Sequence, residues 1–560
     1  MKIILAQQNY HIGNFESNTS KIIDAMQSAK NKNADLIVFS EMCICGYPAR
    51  DFLDFSDFIN KCYQSIETIK KHADTIGVII GAPDRNPLRE GKDLFNAAFL
   101  LYQNEIKGVA HKTCLPNYDV FDEYRYFEPA YNWNVIEFKE KKIALTVCED
   151  IWNLGDNPLY RICAMDILMQ QRPDVMINIS ASPFDYTHIE DRKSIIKANV
   201  LKYKLPLIYC NAVGSQTEIV FDGASLVFDK NANLCCQLPQ FKEELAEVNL
   251  NDNGTVDAPV IEPALAMPNK LIDPLSFTAD LNISQVYEAI ILGIGDYFRK
   301  MGFAKAIIGS SGGIDSAVTI TLACEALGKD NVQAILMPSE FSTSHSVSDA
   351  EKLSKNLGNP YDIIPIKNIY TQFIKELEPF FKNLPFNIAE ENIQSRTRGN
   401  LLMAMANKFG YILLNTSNKS ELATGYGTLY GDMAGGLGVI GDCYKTQVYE
   451  LAKYINSAKE IIPENIITKA PSAELRHDQK DSDSLPDYAI LDKILYQYIE
   501  RVQGPAEIKS QGFDPELVDR VLSMVNKNEY KRNQFCPIIR ISPKAFGVGR
   551  RVPIVANYLS

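Results

Sequence analysis

A carboxylate, an ammonium and a thiol stand where three apolar runs end in the first half of this 560-residue chain. Glu41 follows the run 36–39. Lys112 lies in His111-Lys112-Thr113-Cys114-Leu115-Pro116, and Cys148 follows the run 143–147 and leads into Glu149-Asp150-Ile151-Trp152. Strand ends are where open α/β folds place reactive groups. Singly, each residue is ordinary: a surface acid, a solvated base, one of 12 cysteines. Together they form a chemical set. A thiol is mostly protonated at neutral pH and becomes a nucleophile only beside a base and a positive neighbour. Glu41 can take the thiol proton and later activate water, while Lys112 can stabilise the thiolate and a tetrahedral oxyanion. A cysteine–histidine pair is the competing arrangement, yet of six histidines only His111 falls near the set.

The second half carries a different device. The apolar run 306–308 ends in Gly309-Ser310-Ser311-Gly312-Gly313-Ile314-Asp315-Ser316 and passes into the apolar stretch 317–324. Strand, glycine-rich turn, helix is the arrangement that aims backbone N–H groups and a positive helix end at an anion. Gly312 and Gly313 allow close approach of a phosphate, and Ser311 and Ser316 add hydroxyl donors. Asp315 would repel a bare phosphate, so its presence points to a bridging Mg²⁺. No G-x-x-x-x-G-K-[ST] occurs in the chain, which excludes the P-loop design.

The elements that must position these groups are legible from periodicity. In residues 1–240, apolar runs at 36–39, 78–80, 97–102, 143–147, 175–179 and 207–209 alternate with amphipathic stretches, one marked by Ile22, Ile23, Met26 and Ala29. Prolines at 239, 259, 263, 268 and 274 surround Asn251-Asp252-Asn253-Gly254, a turn signal, and 251–280 reads as a linker between units at 1–250 and 281–560. Beyond it, strands are expected at 332–336, 362–365 and 412–414, and helices at 287–298, 392–407 and 447–455. Such alternation implies parallel sheets covered by helices.

Composition narrows the function. The formal net charge is −12 (57 basic against 69 acidic residues), so neither nucleic acid nor an anionic membrane is an expected partner. Anionic ligands must be held by local sites. No apolar stretch approaches the ~20 residues of a transmembrane helix. The start Met1-Lys2-Ile3-Ile4-Leu5-Ala6-Gln7-Gln8 reads as a first strand, and not as a signal peptide. The scattered cysteines lack a CxxC pair and point to a reducing, cytoplasmic compartment.

The contexts of Glu41, Lys112 and Cys148 resemble the Glu-Lys-Cys triad of the nitrilase (carbon–nitrogen hydrolase) family over about residues 1–250. Pro116-Asn117-Tyr118-Asp119-Val120-Phe121-Asp122-Glu123 and Val147-Cys148-Glu149-Asp150-Ile151-Trp152 resemble its glutaminase branch. The resemblance implies an α-β-β-α sandwich in which Tyr118 and Phe121 line a glutamine pocket. It makes Glu123 a second, supporting carboxylate, and Ser182 and Arg192 holders of the glutamine α-groups. Gly214-Ser215-Gln216-Thr217-Glu218 departs from that pattern.

The glycine loop resembles the SGGxDS pyrophosphate loop of the ATP-pyrophosphatases. In order and spacing, residues 281–560 are similar to the NAD synthetase family, with a doubly wound parallel sheet of the adenine nucleotide alpha hydrolase type. The resemblance implies ATP contacts at Ser311, Gly312, Gly313, Asp315, Ser316, Met337, Arg396 and Thr416. It implies deamido-NAD contacts at Asn392, Glu421, Asp432, Lys445 and Lys531, with Mg²⁺ on Asp315 and Glu421. Asn392-Ile393-Gln394-Ser395-Arg396-Thr397-Arg398-Gly399 places two cations at a helix entry. Pro471-Ser472-Ala473-Glu474-Leu475, continuing through Gln479, Asp481 and Asp483, reads as a mobile lid. Departures are Ser310, where an apolar residue is commoner, and Leu475-Arg476-His477-Asp478-Gln479.

A nitrilase-type glutaminase joined to such a synthetase resembles the glutamine-dependent NAD synthetase family. What this implies is ATP-dependent amidation of deamido-NAD, with ammonia channelled from glutamine, by a homo-oligomer whose partners are small-molecule substrates. The rivals are an amidotransferase acting on another carboxylate or carbonyl, and a sensor that binds nucleotide and glutamine without turnover.

Overall fold

The computed structural model describes residues 1–154, 158–258, 283–382, 384–477 and 479–558. The chain divides into two compact units, Met1–Asn269 and Lys270–Ser560.

The first unit lays down β1 (Lys2–Gln7), β2 (Leu36–Val38), β3 (Gly77–Arg85), β4 (Leu94–Tyr102) and β5 (Glu105–His111). It continues with β6 (Ile136–Phe138), β7 (Lys141–Val147), β8 (Val175–Ser180), β9 (Leu207–Asn211), β10 (Val213–Gln216), β11 (Ile219–Asp222), β12 (Leu226–Phe228) and β13 (Leu234–Gln237). It then returns with β14 (Glu244–Leu250) and β15 (Val256–Asp257). Two sheets result, ordered β15-β14-β1-β2-β3-β4-β5 and β13-β12-β9-β8-β7-β6, beside a β10–β11 hairpin.

Strand alternation decides the layers. Ile3, Leu5, Leu36, Val38, Ile79, Ala98 and Leu100 of the first sheet share one core with Ile143, Leu145, Val147, Ile177, Ile179 and Ile208 of the second. The neighbouring residues Ile4, Ile37, Val78, Ile80, Ala97 and Phe99 point the other way, onto Ile22, Met26, Ile59 and Ile66 of helices Phe15–Asn31 and Ser56–Lys70. Ala144, Met176 and Tyr209 cover the far side of the second sheet with Ile196 and Val200 of helix His188–Tyr203. Because both faces of the central strands are buried, their sequences read as continuous apolar runs. The expected α-β-β-α sandwich is the observed one.

The region read as a linker is in part sheet. β14 pairs antiparallel with β1, from Lys2↔Asn249 to Gln7↔Glu244, and Asn251-Asp252-Asn253-Gly254 is the turn of the β14–β15 hairpin. The remainder of 251–280 beyond residue 258 lies outside the described residues.

The second unit contributes β16 (Ala306–Gly309), β17 (Val332–Leu336), β18 (Tyr361–Ile363), β19 (Ile412–Asn415) and β20 (Leu437–Gly438), all parallel in the order β18-β17-β16-β19-β20. Winding proceeds outward from β16 in one direction and then from β19 in the other. The crevice beyond the carboxyl ends of β16 and β19 is therefore the topological switch point where doubly wound sheets bind ligands. Among the described residues, no helix is long and apolar enough to cross a membrane.

Candidate active sites

Three connections carry the first site. Glu41 follows β2, Lys112 follows β5, and Cys148 follows β7 with φ +43 and opens the 3₁₀ turn Cys148–Ile151. All three are buried, Lys112 completely. Lys112 Nζ donates to Glu41 Oε1 at 2.8 Å and to Glu123 Oε1 at 2.7 Å. Burial alone would lower the Lys112 ammonium, but Glu123 and Glu41 reverse that and hold it well above its ordinary value. Burial, with Glu41 adding, pushes the Cys148 thiol well up against a partial opposing pull from Lys112. The resting nucleophile is thus a thiol, which must pass its proton to a base when it attacks. Burial raises Glu123 to about 7, Lys112 opposing and Glu41 adding.

Several residues that hold this constellation had no sequence signal. Asn96 Nδ2 donates to Glu41 Oε1 at 2.6 Å, the backbone N–H of Ala181 donates to Glu41 Oε2 at 2.8 Å, and Tyr47 OH donates to Glu123 Oε1 at 2.8 Å. Asp150 ties the nucleophile turn to the lysine loop, accepting from Thr113 N and Cys114 N on one oxygen and from Val147 N on the other. His111 is engaged elsewhere: its Nε2 meets Asp84 at 2.9 Å and its ring stacks on Phe95. The cysteine–histidine alternative is thereby removed.

Around Cys148, Tyr118 OH and Tyr160 OH both donate to Glu149 Oε1, at 3.0 and 3.2 Å, and Tyr118 packs edge-on against Phe121 at 5.5 Å. Ser182 is buried with its Oγ 2.9 Å from His188 Nε2. Arg192 departs from its expected role. It is 0% exposed, and its two Nη groups form a fork on Asp222 at 3.1 and 3.0 Å, with two longer contacts, 3.4 Å to Gly223 O and 3.5 Å to Ser182 Oγ. A guanidinium so committed orients Ser182 and is not open to an α-carboxylate.

The second site lies at the switch point, where a cleft of about 580 Å³ opens. Gly312 adopts φ +76, and a Cβ there would lie 2.2 Å from Ser346 O, so only glycine fits this turn. Ser311 Oγ accepts from Gly313 N at 3.1 Å, and Ser316 Oγ donates to Gly313 O at 3.0 Å. The loop is thus braced internally at the start of helix Ile314–Leu327.

From β19, Asn418 caps helix Lys419–Thr424 and donates to Asp315 Oδ1 at 2.9 Å, which brings Glu421 beside the loop. Lys445 Nζ is hydrogen bonded to Asp315 Oδ2 and lies 3.6 Å from Glu421 Oε1. Burial and Asp315 push Glu421 up to about 8 against the pull of Lys445, and Asp481 adds to the rise. Behind the helix, the fully buried Lys419 Nζ reaches Glu500 at 2.7 Å, Ser542 Oγ at 2.8 Å, Lys544 O at 2.9 Å and Asp442 at 2.9 Å.

Of the residues expected at ATP or deamido-NAD, the cleft wall contains Ser311, Gly313, Asp315, Ser316, Met337, Thr416, Asn392, Glu421, Asp432, Lys445 and Lys531. Gly312 and Arg396 are not among them. Helix Ile388–Phe409 begins before Asn392, so both arginines lie within it and not at its entry. Two residues apart on a helix is about 200°, so the pair cannot share a face. Arg398 lines the cleft and Arg396 instead donates to Leu429 O at 3.2 Å. Burial lowers Arg398 to about 10. The segment read as a lid borders the cleft and is anchored there: Glu474 accepts from Ser346 Oγ at 2.6 Å, and Gln394 donates to Leu475 O at 2.8 Å. Asp478 lies outside the described residues.

Asp315, Glu421 and Asp481 set three mutually repelling carboxylates against the one ammonium of Lys445. That is a hard-oxygen donor set with surplus negative charge, and it fits Mg²⁺, which takes one or two protein carboxylates and completes its shell with phosphate oxygens and water. Among the described residues, no three His, Cys, Asp or Glu side chains form a metal cage of their own. The fit is thus to an ion that arrives with a phosphate.

The two centres define a class: a thiol-dependent amide hydrolase and an ATP-pyrophosphatase-type ligase in one chain. Residues 2–258 match the carbon–nitrogen hydrolase family, and residues 286–535 match NAD synthase. The chain is 42% identical over 563 residues to the glutamine-dependent NAD(+) synthetase of Synechocystis sp., covering 99% of each. It is 39% identical over 580 residues to that of Thermotoga maritima, covering 100% of this chain and 99% of the relative. The solved glutamine-dependent NAD+ synthetase of Acinetobacter baumannii, a complex with ADP, superposes with a TM-score of 0.77 at 38% identity over 99% of this chain and 98% of that one. The chain belongs to the glutamine-dependent NAD synthetase family.

Proposed function

We propose that this protein amidates deamido-NAD to NAD at the expense of ATP, with glutamine as nitrogen donor. The observation that carries the reading is the presence of two chemically different centres in one chain that matches its relatives along its whole length.

At the first centre the Cys148 thiol attacks the glutamine carboxamide carbon and its proton passes to Glu41. The oxyanion that forms lies by Lys112. Glu41 returns the proton to the departing nitrogen, ammonia leaves, and the thioester falls to a water that Glu41 deprotonates, releasing glutamate. Tyr118 and Phe121 flank the side chain. Glu149, a buried carboxylate next to the nucleophile, takes the α-ammonium, and the Ser182 hydroxyl, oriented by Arg192, takes the α-carboxylate.

At the second centre the nicotinate carboxylate attacks the α-phosphorus of ATP. Backbone N–H groups and hydroxyls of the loop through Ser311, Gly312, Gly313 and Ser316 hold the leaving pyrophosphate. Asp315 and Glu421 would hold Mg²⁺, which when bound would supply positive charge against that building on pyrophosphate. Met337 and Thr416 border the nucleotide, while Asn392, Asp432, Lys445 and Lys531 face deamido-NAD. Ammonia then attacks the acyl-adenylate carbonyl and AMP departs.

In this reading a glutaminase spans residues 1–258, including the β14–β15 hairpin, and a synthetase spans 281–560. The protein works in the cytoplasm as a homo-oligomer, and the unpaired state of its 12 cysteines supports a reducing compartment.

Pyrophosphate release over a panel of carboxylate acceptors tests the assignment. Release dependent on deamido-NAD supports it, and release with another acceptor alone overturns it. Ammonia is almost wholly protonated at neutral pH and loses its nucleophilicity in water, so the nitrogen is passed on without equilibrating with solvent. Amide-15N glutamine fed with excess unlabelled ammonium should leave its label in NAD.

A further inference from the structure

Asn96 is the third residue of β4, in Leu94-Phe95-Asn96-Ala97-Ala98, with the pattern of a core strand. By strand alternation it shares the face of Ala98 and Leu100, which pack between the two sheets toward the layer that carries Cys148. It is 0% exposed, a place where an amide is retained only if its polar atoms are occupied.

Its contacts converge on the first centre. Asn96 Nδ2 donates to Glu41 Oε1 at 2.6 Å and lies 3.3 Å from Glu123 Oε2. Its backbone carbonyl accepts from Lys112 N at 2.8 Å. One residue therefore grips the base by its side chain and the cation by its main chain. The amide orientation is forced, since a flipped Asn96 would set Oδ1 against two carboxylate oxygens. In the orientation adopted, Oδ1 is buried without a partner, a cost that two charge-assisted donations offset.

The consequence is a division of labour between the Glu41 oxygens. Among the described residues, Oε1 receives both Lys112 and Asn96, whereas Oε2 receives only the Ala181 N–H. A carboxylate oxygen accepts about two hydrogen bonds, so Oε1 is filled and Oε2 keeps one lone pair. We infer that Asn96 is a positioning residue of the glutaminase centre, which saturates Glu41 Oε1 and so assigns Oε2 as the atom that takes the Cys148 proton. The same amide bridges the two acids, with the shorter contact to Glu41.

This inference rests on the glutaminase reading, and the experiment separates the two. Glutamine hydrolysis by the full-length protein is measured against pH for the wild type, Asn96→Ala and Asn96→Asp, with ammonium-driven NAD formation recorded alongside. Wild-type protein that hydrolyses no glutamine would overturn the reading itself. Given wild-type hydrolysis, Asn96→Ala should lower glutaminase kcat about ten- to a hundredfold. It should also move the acid limb of kcat/KM to higher pH, because Glu41 loses a donor that favours its charged form. The groups facing Glu41 that set this limb, Lys112, Glu123, Tyr47 and Cys148, are unchanged in the variant. Asn96→Asp, equal in shape but a third carboxylate, should be worse than Ala. A fall in kcat with an unmoved acid limb, or Asn96→Asp performing as well as wild type, would overturn the positioning role. Unchanged ammonium-driven synthesis shows that the chain has folded. If Ala loses this too, Asn96→Ser, smaller than Asn but still a donor, takes its place under the same criteria.

Discussion

The two centres solve opposite electrostatic problems. In the first unit one ammonium is clamped between two carboxylates, Lys112 between Glu41 and Glu123, with every partner buried and supplied by the chain. In the second, three carboxylates share one ammonium at the edge of an open cleft, and the surplus charge shows in the raised Glu421. The difference follows from the chemistry. Covalent attack on a small neutral amide needs a preorganised, dry set of side chains, whereas a site for a nucleoside triphosphate and a dinucleotide needs room for two phosphate-bearing anions and a cation that comes with them. A centre complete in itself can be read as a triad, while one left unbalanced has to be read from what it lacks.

The comparison breaks outright if the nucleophile serves both reactions. Cys148→Ala should cut glutamine-driven NAD formation by at least about 10⁴-fold while ammonium-driven formation stays near wild type. Loss of both, with the fold intact, would mean that the two sites are one. The converse substitutions are Asp315→Asn and Glu421→Gln. Each should reduce NAD formation from either nitrogen source by about 10²- to 10³-fold while glutamine hydrolysis persists, and rapid-quench detection of wild-type adenylate levels in them would refute their placement at the metal.

A smaller effect sharpens the cleft. Arg398→Ala should raise the KM for ATP or deamido-NAD about tenfold, and Arg396→Ala should change it less than about twofold, since only the former faces the ligand space. The smallest contrast is in stability. Glu123 and Glu421 hold a proton more tightly in the folded protein than in the unfolded chain. Each therefore stabilises the fold fully below the ordinary carboxylate range, and that contribution fades as pH rises, through about 7 for Glu123 and about 8 for Glu421. Ligand-free melts of Glu123→Gln and Glu421→Gln against wild type should show the variants gaining ground over those two windows and then running parallel, with the Glu421 window ending at the higher pH.

What could be read from the sequence were groups announced by a local break. Glu41 and Cys148 follow apolar runs, the glycine loop interrupts a strand–helix passage, and continuous apolar runs gave the buried sheets. What escaped lacks any such break. Asn96 sits inside a strand, and its partner Glu41 is 55 residues away. Asp150 reads as one more acid after a nucleophile, though it pins two loops. Arg192 was recognised but misplaced, because its fork with Asp222 is a tertiary fact with no trace in the spacing. Arg396 and Arg398 differ only in helical phase, and their spacing alone does not say which of them faces the cleft. β14 was hidden by surrounding prolines that suggested a break where a sheet closes.

The contacts of Lys419 bear on the order in which the protein becomes active. The carboxylate Glu421 is held in place by a lysine whose partners, Ser542 and Lys544, are made more than a hundred residues later. Both centres depend on contacts of high sequence separation, which slow folding and delay it until the distal strand is available. The first unit closes its sheet when β14 meets β1, so during synthesis it can fold and acquire its thiol chemistry while the second is still being translated. The synthetase must wait for the segment around residue 542. A ribosome-bound chain halted between these points would already hydrolyse glutamine, with nothing yet able to take up the ammonia.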